Sequence, residues 1–441
     1  MWENIDTDRH YLGEFTLDNE TLQGEIIYNK ENGNIVLHIQ RQFSHGPGKN
    51  YGRIPLILGT LHSGAALSLY QNKCISNNTR LFEYQELVFQ VGYIILGQSQ
   101  ETYNQLICVF ENGLLWSRLS QIDVSDFSTI KHKSMDEPVY HWFDAKITFT
   151  TDLTNGLLSF PRKEVSRVVE RLVVKIETDE KRPPFFFLSI RDKIMALISF
   201  AIKDNVNIEE QFVVDFDDYE MLGEHKHYRR KSLLTSEPYS TIHNTSPHDY
   251  SFFLPQLSTS DDTQATLTKL TPVFNLYLSL FKYKDMPIEM VFLNIVQALE
   301  TFHARFFYDD NKEKYIESVF QRFEKDANYD QIKQLLLNDT QMDKNCNYII
   351  LVSRLNDLLI GKNNGLFSDY YAVNNTYAQS IADTRHYYTH YGKSKENKAF
   401  KGDELLNAIH VLRLLLDYYI CQSIGLDIEE KTRSQLSLLR T

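Results

Sequence analysis

The chain has 441 residues, 42% of them hydrophobic, with 58 acidic against 46 basic side chains and a formal net charge of −12. That length and apolar content suit at least two domains with sizeable cores, and the negative balance excludes a generally basic coat for nucleic acid, so any RNA contact has to use a local patch. Cys74, Cys108, Cys346 and Cys421 stand far apart with no CxxC pair, which reads as reduced thiols and speaks against a disulfide frame or a zinc site.

The N-terminal Met1–Asp6 shows no basic region followed by an apolar run, and no uncharged apolar stretch reaches the length of a membrane span. A cytoplasmic protein without membrane contact is expected. Residues 10 to about 150 read as β-rich. Gly24–Tyr28 and Asn34–Ile39 flank Lys30-Glu31-Asn32-Gly33, a hairpin signal because Asn-Gly readily supplies positive φ angles. Ile54–Gly59, Leu87–Leu96 and Lys146–Thr150 are further strand-like runs. The glycine cluster from His45 to Gly52 lacks the spacing of a nucleotide loop and a following helix, so it reads as a turn and no cofactor is expected.

From 160 to 255 the pattern mixes. Val165–Ile176 reads equally as strand or helix, whereas Phe185–Ala201, after Pro183-Pro184, reads as a buried helix. His225-Lys226-His227-Tyr228-Arg229-Arg230-Lys231 is the densest basic cluster. It is either a solvated surface loop or a track for an RNA backbone, with Arg229 and Arg230 on phosphate and an aromatic to stack a base. His243, His248 and Asp249 lie in loop-like surroundings around Pro247 and read as a chance grouping, so no metal is expected.

The polar stretch Leu257–Gln264 divides this pattern from a helical one. Pro287 suits a first helical turn, and Ile288, Val291, Phe292, Ile295, Leu299 and Phe302 give a clean apolar stripe. Further helices are predicted over 311–325, 329–337, 345–360, 375–391 and 402–424. The fold class is therefore α+β, a β-rich domain over 1–258 followed by an all-α bundle over 259–441.

The chemistry-bearing stretch is Asp383-Thr384-Arg385-His386-Tyr387-Tyr388-Thr389-His390-Tyr391-Gly392. A guanidinium can hold phosphoryl oxygens while an imidazole moves a proton, and such a pair can cleave RNA without metal. Val373-Asn374-Asn375 supplies a plausible N-cap and Gly392 a C-terminal stop. Tyr377, Ile381, Thr384, Tyr388 and Tyr391 form one packed face. Asp383, His386 and His390 fall on a second stripe, with Arg385 and Thr389 beside it. Between this helix and the last one, Gly392–Lys401 carries Lys393, Lys395, Lys398 and Lys401 as countercharge for an RNA backbone, or as an ordinary solvated loop.

The block Ile381–Tyr391 resembles the Arg-x4-6-His motif of HEPN ribonucleases and looks most like the HEPN domain of ApeA-type bacterial anti-phage proteins. Phe292–His303 is similar to an earlier helix of that domain, and the upstream half resembles the ApeA N-terminal domain more loosely. The sequence departs from the wider family at His386, where Asn commonly follows the arginine. The resemblance implies a homodimer whose two motifs line one cleft. It further implies metal-independent cleavage of single-stranded RNA that leaves a 2′,3′-cyclic phosphate and a 5′-hydroxyl, in abortive defence against phage. Host RNA, with tRNA plausible, would be the substrate, and the N-terminal domain would sense a phage trigger or restrain the nuclease.

On this reading Arg385 binds the scissile phosphate and stabilises its transition state, where the bland alternative is an interhelical ion pair. His390 acts as base on the 2′-hydroxyl or as acid for the leaving oxygen, His386 orients it or carries the second proton, and Asp383 fixes a histidine tautomer. Asp383 and Thr389 are supporting residues. Glu300 or His303, on the neighbouring helix, would complete the site or serve that helix's polar face. The competing class is a HEPN-fold module that binds RNA or a partner without cutting. A hydrolytic N-terminal domain is disfavoured by the lack of a nucleophile elbow, an HExxH motif or a carboxylate pair.

Overall fold

The computed structural model describes residues 9–29, 33–42, 50–80, 84–97, 102–120, 122–126, 129–132, 136–160, 163–236, 242–243, 245–258, 261–283, 285–307, 328–331, 350–361, 365–368 and 376–439. It divides into two compact units, residues 1–198 with 205–247, and residues 199–204 with 248–441.

The first unit is a long antiparallel sheet, part of which closes on itself. Strands β1 (Arg9–Leu17), β2 (Glu20–Asn29), β3 (Asn34–Gln42), β4 (Arg53–Leu61), β5 (Ala66–Arg80) and β6 (Tyr84–Gln90) pair in the order β5-β4-β1-β2-β3-β6. The fifteen-residue β5 makes closure possible, because its first half pairs with β4 and its second half with β6. Alternation then decides what faces inward: on β3, Ile35, Leu37 and Ile39 are buried while the residues between them are open to solvent or nearly so. They join Phe15, Ile57, Leu69, Leu87 and Phe89 in a continuous apolar core. Gly24 and Gly59 make room for the Phe15 ring, since a Cβ at either would stand 2.8 or 2.6 Å from it. The expected Gly24–Tyr28 and Asn34–Ile39 hairpin is the β2–β3 pair, with Gly33 at φ 67°.

From β5 the sheet runs outward through β7 (Tyr93–Leu96) to the rest of the unit. These are β8 (Tyr103–Phe110), a short helix α1 (Leu114–Ser117), a small pair β9 (Ile122–Asp126) and β10 (Thr129–His132), then β11 (Val139–Trp142), β12 (Ala145–Phe160) and β13 (Lys163–Arg182). Helix α2 (Pro184–Ile202) follows, and β14 (Ile208–Leu222) with β15 (His225–Thr235) completes the sheet. The run 87–96, read as one strand, is two, because the chain bends between Gln90 and Tyr93. The ambiguous 165–176 stretch is strand, its backbone pairing with the long β12 along one edge and, from Leu172 on, with the buried β8 along the other. Phe187, Ile190, Ile194 and Leu197 of α2 are fully buried, as the expected helix requires.

The second unit is helical: α3 (Asp261–Tyr277), α4 (Ser279–Lys282), α5 (Ile288–Phe306), α6 (Leu351–Ile360), α7 (Tyr377–His390), α8 (Asp403–Ser423) and α9 (Glu429–Leu438) among the described residues. The predicted helix at 311–325 and most of that at 329–337 lie outside those residues, as do Cys346, Asn374 and Asn375. Helices α3 and α8 pack against α5, whose Phe292, Ile295, Leu299 and Phe302 are buried on the predicted stripe. Pro287 stands at the N-cap of α5 instead of inside its first turn. Tyr419 of α8 fastens the bundle by donating its hydroxyl to the Leu358 carbonyl of α6 at 2.6 Å.

One charged cluster sits inside this unit. Lys203 Nζ lies 2.5 Å from Asp417 Oδ1 and 4.1 Å from the Phe200 ring, and Tyr277 donates to the same carboxylate at 2.7 Å. Burial pulls the Lys203 ammonium below its usual range even against the attraction of Asp417, and it pushes the neighbouring Cys421 thiol up to about 12. Such a pair is stable only because each charge has the other.

Candidate functional site

The site is built on α7. Ala378, Ile381 and Thr384 are buried on its inner side, and Thr384 also turns its hydroxyl to work: it donates to the Ser380 carbonyl at 2.7 Å and accepts from the Phe400 amide at 2.9 Å. Tyr388 donates to the Phe400 carbonyl at 3.0 Å and stands edge-on to Phe292 of α5. The helix ends differently from expectation. Tyr391, not Gly392, takes the left-handed position with φ 49°, and Gly392 is extended. Because Tyr391 caps by folding its amide onto the Tyr387 carbonyl, the glycine is left to start the following loop.

Arg385, His386 and His390 are brought together on the outer side. His386 and His390, one turn apart, are both exposed, and their ring centroids are 4.9 Å apart. The Arg385 side chain is 43% exposed, and its Nη2 lies 3.7 Å from Glu300 Oε2 of α5. The arginine thus both faces solvent and carries an interhelical ion pair. Thr389 is turned back on its own helix, donating to the Arg385 carbonyl at 2.7 Å, so it steadies the backbone between the two motif residues.

Asp383 does not reach a histidine. Its carboxylate is buried and accepts from Lys395 Nζ at 2.6 Å and from Gln379 Nε2 at 3.0 Å. Burial alone would raise its pKa, but those two hydrogen bonds and the charges of Lys395 and Lys398 outweigh it and hold the carboxyl below its usual range. The lysine loop is therefore no simple solvated connection. Lys395–Asp383, Phe400–Thr384 and Tyr388–Phe400 strap it along α7, with Tyr377 and Phe400 in ring contact. The strap holds Lys393, in a short 3-10 turn, and Lys398 beside the motif helix, both exposed, while Lys401 lies 5.4 Å over the Tyr387 ring and 3.9 Å from Glu396.

The remaining candidates go elsewhere. His303 is fully buried, with Nε2 3.2 Å from Asp357 of α6, so it belongs to helix packing, and of the two α5 candidates only Glu300 meets the motif. Arg354 of α6 donates to the Glu300 carbonyl at 3.2 Å, steadying that turn. Neither α6 residue carries a sequence signal beyond helical spacing. Arg229 and Arg230 lie on strand β15 of the first unit and not in a loop. Arg229 faces acidic β14, 2.5 Å from Glu220 and 3.7 Å from Asp218. Among the described residues no three His, Cys, Asp or Glu side chains gather as a metal site, and no helix is long and apolar enough to cross a membrane.

A guanidinium, two accessible imidazoles and a strapped lysine loop on one helix can bind a phosphodiester and move protons beside it. Comparison with known families finds two matches along the chain. The family model described as Apea-like HEPN matches residues 293–430, a range that contains Glu300, the whole motif helix and the strap. The model described as ApeA N-terminal domain 1 matches residues 10–269. No curated protein and no solved structure matches. With one of these matches spanning more than half of the chain and the other following it, the chain belongs to the ApeA-like proteins, HEPN-domain proteins of anti-phage defence, with its β-rich domain first and its HEPN domain at the C-terminal end.

Proposed function

We propose that this protein is a metal-independent endoribonuclease of abortive anti-phage defence, acting in the cytoplasm on host RNA, with tRNA as a candidate substrate. Residues 259–441 form the nuclease and residues 1–258 the sensing or restraining domain that answers a phage-derived trigger. The observation carrying this reading is that Arg385, His386 and His390 share the accessible side of a single helix inside the HEPN match.

The reaction is an in-line transesterification. A neutral imidazole of the motif takes the proton from the ribose 2′-hydroxyl, and the 2′-oxygen attacks phosphorus. The bond from phosphorus to the 5′-oxygen breaks, and a protonated imidazole supplies the proton to that oxygen. The products are a 2′,3′-cyclic phosphate and a 5′-hydroxyl. Arg385 holds the non-bridging oxygens, whose charge is greatest in the transition state. Base and acid must stand on opposite sides of phosphorus. His390 takes one role, and the second falls to His386 or to the motif of a second protomer, since HEPN domains commonly dimerise. Lys393, Lys395 and Lys398 line the path of the backbone.

One observation favours the second reading, a HEPN module that binds RNA without cutting: Arg385 is already paired with Glu300. The deciding experiment is cleavage of total RNA and purified tRNA in EDTA, beside folded Arg385→Ala and His390→Ala variants. Cutting that both substitutions abolish supports the nuclease. Cutting that survives them removes the motif from the mechanism, and binding without cutting, in extract of infected cells as well, supports the module.

A further inference from the structure

Tyr391 is placed at a cost that packing does not explain. It is the residue directly after His390, it sits in the left-handed region at φ 49°, and glycine, which tolerates that conformation freely, is its next neighbour. A helix that ended one residue later would put Gly392 there and relieve the strain. The ring gains little burial in return, since Tyr391 is 66% exposed. Its position is nevertheless fixed. Tyr387 and Tyr388 stand edge-to-face with it, at centroid distances of 5.5 and 6.3 Å. Lys393 follows two residues on, exposed at the start of the strap. Strain kept at an exposed, rigidly held aromatic beside an arginine and two histidines points to a ligand that uses the ring.

We propose that Tyr391 is a stacking platform for a nucleobase of single-stranded RNA, positioning the nucleotide next to the scissile phosphate. The inference rests on the RNA reading above and deepens it: the phosphate goes to Arg385 and an adjacent base to Tyr391. Aromatic stacking is tolerant of base identity, so the platform sets the register of the strand and its single-stranded character more than its sequence. Tyr391 acts as a positioning residue, since the proton transfers belong to the histidines.

The test uses the full chain, Tyr391→Gly and Tyr391→Trp, with a short single-stranded 2′-O-methyl RNA, which has no free 2′-hydroxyl and is not cut, and the same strand with abasic sites throughout. Glycine relieves the left-handed strain, so the Tyr391→Gly protein remains folded with thermal stability equal to or above the parent. Its affinity for the base-bearing strand is expected to fall about 5- to 150-fold, the range of one lost base stack, while tryptophan stays within about threefold of the parent. On the abasic strand parent and glycine variant bind alike. On cleavable RNA the loss appears mainly in KM. Equal affinity of parent and glycine variant for the base-bearing strand overturns the platform. So does a fall in oligomeric state in the glycine variant, which would make the ring a contact between copies. Failure of the parent chain to bind either strand overturns the RNA reading itself, and this inference with it.

Discussion

Glu300 is the sharpest handle on the proposed motif, because its carboxylate competes for the guanidinium to which that reading assigns the phosphate. The Glu300→Gln change keeps shape and removes charge. The pair is 3.7 Å long, with the arginine side chain 43% and the glutamate 24% exposed, so it is partly solvated and contributes at most about 1 kcal/mol to stability. Unfolding should therefore shift little. Binding should shift more. A phosphate seated on the far side of the guanidinium lies roughly 6–7 Å from the carboxylate, and two unit charges at that distance repel by about 0.6 kcal/mol in water and about 2.5 kcal/mol at an effective dielectric of 20. Taking about 1 kcal/mol for this half-exposed place, Glu300→Gln should bind RNA about fivefold more tightly at low salt, with the gain shrinking as salt screens it. Fluorescence anisotropy on a non-cleavable strand measures the affinity, and steady-state cleavage separates kcat from KM. A tenfold or larger fall in kcat at unchanged KM would refute the competition argument, because it would mean that the carboxylate orients Arg385 for the transition state.

Asp383→Asn should loosen the strap, costing about 1–2 kcal/mol as a mostly buried charge-assisted hydrogen bond is replaced by a weaker one. Its carboxyl titrates lower in the fold than in the unfolded chain, so the stabilisation is fully present above the unfolded value of about 4 and is lost as pH falls through the folded one. Denaturant midpoints of parent and variant should stay a constant distance apart from pH 7 down to about 4 and converge below, and a gap that persists in acid would assign the effect to packing. Lys203→Met strands the Asp417 carboxylate with only its other neighbours and should cost about 3 kcal/mol in chemical denaturation. Adding Asp417→Asn should recover part of that loss, and a single variant within about 0.5 kcal/mol of the parent would refute the desolvated pair.

What could be read from the sequence was what depends on neighbours a few residues away. Helix α5 is legible because Ile288, Phe292, Ile295, Leu299 and Phe302 repeat at helical spacing and form its inner face, all buried apart from the half-buried first residue. The Arg385, His386 and His390 side of α7 is legible for the same reason. Contacts made across the fold were not. Barrel closure turns on β5 pairing both β4 and β6, a property of long-range register that no local pattern announces. Helix α3 hides behind Pro272, which packing tolerates inside it. The basic run 225–231 reads as either a solvated loop or an RNA track because its neutralising partners, Glu220 and Asp218, sit across a hairpin and not beside it in sequence. Asp383 fell on the histidine stripe of a helical wheel, yet the strap folds Lys395 back onto it from twelve residues on.

The charge of −12 and the proposed RNA substrate can be reconciled only through that local geometry. Of the cations around the motif, Lys395 is committed to Asp383, Arg385 shares Glu300, and Lys401 approaches Glu396. One copy of the site therefore offers few charges for releasing counterions from a phosphate backbone, and the field of the whole molecule repels RNA instead of steering it in. On the proposed nuclease reading a weak electrostatic grip is tolerable, because indiscriminate affinity for RNA would endanger an uninfected host. It does require that productive binding come from elsewhere: a base held against Tyr391, and a second motif contributed by a partner copy, which would double the cations without altering the charge of either chain. On the proposed reading, assembly and stacking do for this acidic protein what a basic surface does for an ordinary RNA-binding one, and whatever governs assembly governs cutting.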